Sequence, residues 1–255
     1  MGILQFVIIG VGAFLAGGVN ALAGGGTLIT FPLLTAIGLP AVVANVTNTV
    51  ALCPGYFGAT LAQWKDIISR KRRVWLYLPA AVLGGLLGGV LLLHTGERAF
   101  NGIIPYLILS AAILLAVGNP LHKWLESRTA PGQRWQDLSV ITFVAVMAAS
   151  IYGGYFGAGL SVIFLAVLGI MISDSLTRLN ALKQVLALAT NIAAAIFFVF
   201  SGEVNWAAAL VMAVFALAGG TVGGRLAGKI SADKLRWVVV GIGVFVSIYY
   251  FIKYQ

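Results

Sequence analysis

The chain has 255 residues, of which 60% are hydrophobic and 9% charged, with 16 Lys and Arg against 7 Asp and Glu for a net charge of +9. A typical soluble domain carries about 25% charged residues, and a soluble globule of this size needs far more polar side chains to cover its surface. The composition excludes a soluble enzyme, a disordered chain and a disulfide scaffold, and it predicts an all-α polytopic integral membrane protein.

In chain order the apolar runs are Ile3–Ala23, Thr27–Gly38, Ala41–Ala62, Val74–Leu93, Phe100–Val117, Leu138–Ala158, Leu160–Ile172, Leu179–Phe200, Trp206–Gly224 and Leu235–Ile252. A helix that crosses a bilayer needs about 20 apolar residues, so the chain accommodates about eight to ten membrane segments. Ala21-Leu22-Ala23 imitates a signal-peptidase site, but Lys65 is the first basic residue and no positive region precedes the first run. That run is therefore read as a retained first segment. Thr27–Gly38 and Leu160–Ile172 are too short to cross comfortably, and each follows a glycine cluster: Gly24-Gly25-Gly26 in one case, Gly153-Gly154 with Gly157 and Gly159 in the other. The one clearly polar linker, Asn119–Asp137, contains Ala130-Pro131-Gly132. The expected organisation is a first membrane repeat over 1–118, a cytoplasmic linker over 119–138 and a second repeat over 139–255.

The halves share a pattern. Gly84-Gly85-x-x-Gly88-Gly89 returns as Gly219-Gly220-x-x-Gly223-Gly224 at an offset of 135 residues, and the same offset pairs Asn45 with Asn180, Asn48 with Lys183, Thr49 with Gln184 and Tyr56 with Asn191. A fixed offset of this kind points to duplication. Charge then orients the copies. Lys65–Arg73, Asn119–Asp137 and Arg225–Arg236 hold twelve of the sixteen basic residues, whereas His94–Ala99 has only Arg98 and Ser201–Asn205 has none. Cytoplasmic loops collect Lys and Arg, so the first three loops are placed inside and the last two outside. Lys65–Arg73 then lies inside while its repeat equivalent Ser201–Asn205 lies outside, which makes the repeats inverted. Each would hold about three full spans plus a glycine-broken pair, with both termini external. Inverted repeats with interrupted helices at matching positions are a transporter signature.

Two groups of residues are candidates for chemistry. A break followed by a new half-helix is expected to leave free amides at Thr27–Ile29 and Leu160–Val162, where an anion can bind. The competing reading is that glycines only permit close helix packing, and for the GG-x-x-GG helices that reading is preferred. The second group is polar residues inside apolar helices. Asn45, Asn48, Thr49 and Tyr56 lie on one helical face, which Asn180, Lys183, Gln184 and Asn191 repeat in the other half. Amides in such helices can merely join helices. Lys183 stands out, because a cation at the centre of a membrane segment costs at least about 2.5–3.5 kcal/mol and no acid lies within one turn of it. An anion would suit it as a partner; the alternative is a lysine that snorkels to the interface. Arg178, nearer the helix end, carries the same two readings.

Other leads close quickly. Asn45-Val46-Thr47 fits a glycosylation sequon within an apolar run, His94 and His122 lack metal-ligand spacing, and neither a P-loop nor a dinucleotide fingerprint occurs. No catalytic cluster, metal site or cofactor is expected.

Gly24-Gly25-Gly26-Thr27-Leu28-Ile29-Thr30-Phe31-Pro32-Leu33-Leu34, followed by Ala44-Asn45-Val46-Thr47-Asn48, resembles the first block of the TauE/SafE sulfite exporter family. Gly153-Gly154-Tyr155-Phe156-Gly157-Ala158-Gly159 resembles its counterpart in the second half. The resemblance covers nearly the whole chain and implies a secondary transporter of small sulfur-containing anions. It points to the segments around Gly24–Thr27, Asn45–Thr49, Gly157–Ser161 and Asn180–Gln184.

The reading reached from sequence is an exporter of sulfite or an organosulfonate in the cell membrane. Its substrate would lie midway across, touched by Gly25, Gly26, Thr27, Asn45, Asn48, Thr49, Tyr56, Gly157, Gly159, Ser161, Arg178, Asn180, Lys183, Gln184 and Asn191. The alternatives are an anion channel with the same lining and a non-transporting scaffold subunit. The expected partners are the small anion and the bilayer, with a homo-oligomer left open and nucleic acid excluded.

Overall fold

A computed structural model of the chain describes residues 2–22, 25–62, 64–68, 71–128, 139–172, 174–225 and 232–254. Every regular element among them is an α-helix: α1 (Ile3–Leu22), α2 (Thr27–Ala36), α3 (Ala41–Ala62), α4 (Trp64–Ile68), α5 (Lys71–Arg128), α6 (Ser139–Tyr155), α7 (Leu160–Met171), α8 (Leu176–Val199), α9 (Trp206–Arg225) and α10 (Ala232–Tyr254). The helices fall on the ten apolar runs, with one addition and one fusion. The short α4 forms inside the first basic loop. The fourth and fifth runs join in α5, which is broken at Gly96, where φ is 72° and ψ 160°. A carbonyl that turns away there lets the chain reverse without a long loop.

Helix α5 also continues to Arg128, into the segment expected to be a linker. The remainder of that linker, Gly24 of the first glycine cluster and 226–231 of the third basic loop lie outside the described residues. Among the described residues five helices, α1, α5, α8, α9 and α10, are long and apolar enough to cross a membrane. Helix α3 has the length, 22 residues, but its Asn and Thr residues lower its hydropathy. The short α2 and α7, with 10 and 12 residues, remain the two interrupted segments.

Burial is distributed as hydrocarbon solvent demands. Leu83 and Leu87 on α5, Leu210 and Val214 on α9, and Phe245, Ile248 and Ile252 on α10 are exposed, while Asn45, Thr47, Asn48 and Thr49 of α3 are buried. A soluble bundle shows the reverse; in lipid, polar side chains must find partners inside the protein. The chain is an integral membrane protein.

The paired glycines bring backbones together, as the small-residue reading predicts. A Cβ on Gly84 would meet Ser150 Cβ at 2.5 Å, and one on Gly88 the Ile151 carbonyl at 2.1 Å. One on Gly219 would meet the Phe14 carbonyl at 1.9 Å, and one on Gly223 would meet Gly18 Cα at 2.7 Å. Gly84 and Gly88 thus seat the first limb of α5 on α6, and Gly219 and Gly223 seat α9 on α1. Helices α3 and α8 pack against each other between these pairs, and α10 packs on α5.

Candidate functional site

The two breaks converge. Phe31 of α2 meets Phe156, in the turn between α6 and α7, edge to face at 5.5 Å between ring centroids and 80° between planes. Both rings are fully buried. Such aromatic pairs hold a fixed geometry, so the starts of the two half-helices are pinned to one region of the core.

Helix α3 passes beside both breaks. The Asn48 amide nitrogen donates to Thr27 Oγ1 at 3.4 Å, and the Thr30 hydroxyl donates to Asn48 Oδ1 at 2.5 Å. Asn48 therefore closes onto the first turn of α2. Three residues earlier on the same face, Asn45 Nδ2 donates to the carbonyl of Tyr155, the last residue of α6, at 2.8 Å. Asn45 Oδ1 is buried and has no hydrogen-bond partner among the described residues. The Thr49 hydroxyl bonds the Asn45 carbonyl of its own helix at 3.0 Å. Tyr56 is half-buried and packs against both hydrophobic cores.

The glycines at the breaks answer to backbone geometry and packing together. Gly25 has φ 93°, and Gly157 and Gly159 both have φ 76°, a region that L side chains enter only at a cost. Gly26 has ordinary angles, but a Cβ there would meet the Ala16 carbonyl at 2.6 Å. The expectation of free amides at Thr27–Ile29 and Leu160–Val162 needs correction. Leu28 N donates to the Gly25 carbonyl at 2.9 Å and Ile29 N to that of Gly26 at 3.0 Å. Leu160 N donates to Gly157 at 3.3 Å and Val162 N to Gly159 at 2.9 Å. The preceding glycines turn their carbonyls back onto the helix starts and close tight i→i−3 turns. The Thr27 and Ser161 amides keep no partner among the described residues, and neither does the Ser161 hydroxyl.

Helix α8 brings the other polar face. Lys183 is half-buried and forms no hydrogen bond or ion pair among the described residues. Gln184 is buried beside α3, its backbone carbonyl accepting from the Thr60 hydroxyl at 3.5 Å. Asn180 is half-buried. Asn191 is buried and donates to the Ala187 carbonyl of its own helix at 2.8 Å, the local bonding that amides adopt in a helix without a cross-helix partner. Arg178 does not join this face. It is exposed at the start of α8, with Nη1 3.4 Å from Asp174 Oδ1. Asp174 also binds Arg73 Nη1 at 2.6 Å, so Arg178 lies beside an acid that already ties α5 to the start of α8.

Three partners escaped the sequence reading. Asn20 Oδ1 accepts from Gly26 N at 2.8 Å and caps the first break; an Asn at the end of an apolar run, six residues before the glycine, was the available signal. Thr30 stands three residues after Thr27, on the same helical face. Glu97, next to the break in α5, caps α3 by accepting from Ala41 N and, at 3.0 Å, from Val42 N. A carboxylate at a helix N-terminus is favourable, but its pairing across 55 residues has no sequence signature. The acids whose side chains are described, Glu97, Asp174 and Glu203, stand at helix ends or in loops. The two polar faces thus supply one cation and neutral amide and hydroxyl groups, with Lys183 next to the residue that meets Thr60 near the end of α3 and Asn45 against the Tyr155 carbonyl near its start.

The family model described as sulfite exporter TauE/SafE matches residues 9–250. A probable membrane transporter protein of Haemophilus influenzae is 28% identical over 236 residues, 92% of this chain and 88% of that relative. The probable membrane transporter protein YfcA of Escherichia coli K12 is 24% identical over 97% of this chain and 88% of its own length. A probable membrane transporter protein of a Sinorhizobium species, ORF9, is 26% identical over 93% and 89% respectively. No solved structure matches. A helical membrane bundle with two glycine-broken segments, matched from α1 to α10 by one family model, places this chain in the TauE/SafE sulfite exporter family of membrane transporters.

Proposed function

We propose that the chain is a secondary transporter that exports a small sulfur-containing anion, sulfite or an organosulfonate, from the cytoplasm across the plasma membrane. The substrate lies between the two broken segments, against the polar faces of α3 and α8. The observation that carries this reading is Lys183. It is a half-buried cation in a spanning helix, with no acidic partner among the described residues, and an anion is the partner that offsets its cost. Asn180 and Gln184, neutral amides on the same helix, suit sulfur oxyanions, which offer several acceptor oxygens.

The helix pairings support an inverted arrangement of 1–118 and 139–255. Helix α1 packs on α9 while its counterpart α6 packs on α5, and the central α3 and α8 pack on each other, as an exchange of the two halves requires. With the basic loops inside, both termini are external. An inside-negative potential drives a monoanion outward by about 2.3 kcal/mol per 100 mV, so export needs no carboxylate relay in the spans. Flux of sulfite, sulfate, sulfoacetate, taurine and chloride into liposomes that hold the purified protein tests the reading. Saturable sulfite or sulfonate flux with counterflow is expected; flux of none of the sulfur anions would refute it.

A further inference from the structure

Lys183 does not stand midway along its helix. It is seven residues from Leu176 at the start of α8 and sixteen from Val199 at the end, which places it about 10 Å from one end and about 24 Å from the other at the helical rise per residue. Two bonds fix which end of α3 lies beside it. The Thr60 hydroxyl, two residues before α3 ends, donates to the Gln184 carbonyl at 3.5 Å, and Asn205 N, beyond the far end of α8, donates to Thr47 Oγ1 at 2.9 Å. The two helices are therefore antiparallel, and Lys183 lies about 22 Å along them from Asn45. The ends differ in charge. At the start of α8, Arg73 and Arg178 meet Asp174, and Lys71 and Arg72 beside Arg73 are exposed. At the start of α3, the neutral Asn45, Thr47 and Asn48 bond to Tyr155, Asn205, Thr27 and Thr30. Helix α3 carries no charged residue. The acid that meets its first turn is Glu97, which accepts from Ala41 N and Val42 N one turn before Asn45; Arg98 next to Glu97 is exposed.

Resting on the transport reading above, we propose that the two sides of the membrane meet the anion with unequal affinity. Lys183 captures it in the third of the membrane next to the basic loops, which charge places on the cytoplasmic side. The anion leaves on the other side along the neutral stretch of α3, past the Glu97 carboxylate, where α3 has no cation to retain it. A lysine at the midplane would serve both sides alike; one a third of the way in does not. A low-dielectric region lined by one sign of charge raises its counter-ion's local concentration by about 10–1000-fold, and at the Lys183 end that sign is positive. Without a driving force Vmax/KM must be equal in the two directions, so the asymmetry appears in KM and Vmax together. An exporter built this way loads from a dilute cytosol and is not reoccupied by the anion it has released.

The test measures KM from each face. The purified protein with an affinity tag inserted near Thr129 is reconstituted, and liposomes with the tag outward are separated from those with it inward. Uptake of sulfite and of sulfoacetate is followed at zero membrane potential. KM is expected to be at least about tenfold lower on the face that carries the tag, with Vmax lower in proportion. Glu97→Gln, whose side-chain oxygen can still accept from the α3 amides, should lower KM on the opposite face and leave it near wild type on the tagged face. In a Cys53→Ala background, Lys183→Cys should react faster with an impermeant anionic methanethiosulfonate applied to the tagged face, and Asn48→Cys faster from the other. Equal KM on the two faces, the lower KM on the untagged face, or faster reaction of Lys183→Cys from the untagged face would overturn this inference and leave sulfur-anion transport standing. Saturable uptake of neither anion from either face would overturn both.

Discussion

Alanine at Gly219 is the sharpest test of how this bundle is held together. Its Cβ would lie 1.9 Å from the Phe14 carbonyl oxygen, with Phe14 carbonyl carbon at 2.6 Å and Cα at 2.8 Å. Ordinary contact begins at 3.4 Å, so α9 and α1 must part by more than an ångström at the crossing. All three obstructing atoms are backbone, so no rotamer change relieves the clash. A radial gap of about 0.5–1 Å already forfeits a quarter to a half of each dispersion well, and that loss extends along a contact that also uses Gly17 and Gly223. Overpacking of this kind costs about 1–3 kcal/mol, and one kcal/mol lowers Tm by about 2–4 °C in a chain of this size. Gly88→Ala, with its Cβ 2.1 Å from the Ile151 carbonyl, should behave alike at the α5–α6 crossing. The control is Gly102→Ala, where nothing lies within 4 Å and the helix gains about 0.5–1 kcal/mol from the lost glycine entropy. Thermal unfolding in detergent, followed through reaction of the single Cys53 with a fluorogenic thiol reagent, reports all three. If Gly219→Ala and Gly88→Ala unfold within 1–2 °C of Gly102→Ala (~0.5 kcal/mol), the close backbone crossings do not hold the fold.

Four further outcomes are expected. Lys183→Ala should abolish anion flux in liposomes with folding retained, and Lys183→Arg should keep part of it because charge survives while shape changes; normal flux in the alanine variant would move the site elsewhere. Asp174→Asn should lower thermal stability, since Arg73 loses its partner at 2.6 Å, whereas Arg178→Ala at an exposed position should leave stability and flux near wild type; strong loss of flux in the latter would restore Arg178 to the site. Gly157→Val and Gly159→Val should abolish flux and lower stability, because both glycines hold φ near 76°, while Gly2→Val, with open space around it, should be silent; equal behaviour would remove the geometric role of the break. A reporter fused after Gln255 should read external and one inserted near Thr129 cytoplasmic, and finding both on one side would rule out the inverted arrangement.

Much of the architecture follows from one-dimensional patterning. Hydrocarbon leaves helices as the only economical way to satisfy a spanning backbone in a chain like this, so apolar runs become helices at nearly the same boundaries, and glycine clusters become breaks because only glycine turns there without strain. The cation in α8 and the polar face of α3 were legible for the same reason: in lipid a polar residue is conspicuous. Partners across the chain were not legible. That Asn48 would close onto Thr27 and Thr30, that Asn20 would cap Gly26, and that Asp174 would engage both Arg73 and Arg178 depends on which helix faces lie together, and composition along a helix does not encode the neighbour it meets. Four of the six free amides expected at the breaks closed into local turns, at Leu28, Ile29, Leu160 and Val162, because backbone satisfies backbone wherever a carbonyl can turn to it. What the tertiary structure alone decided is which residues meet at the breaks: Asn20 and Asn48 on the start of α2, and Asn45 on the Tyr155 carbonyl at the end of α6.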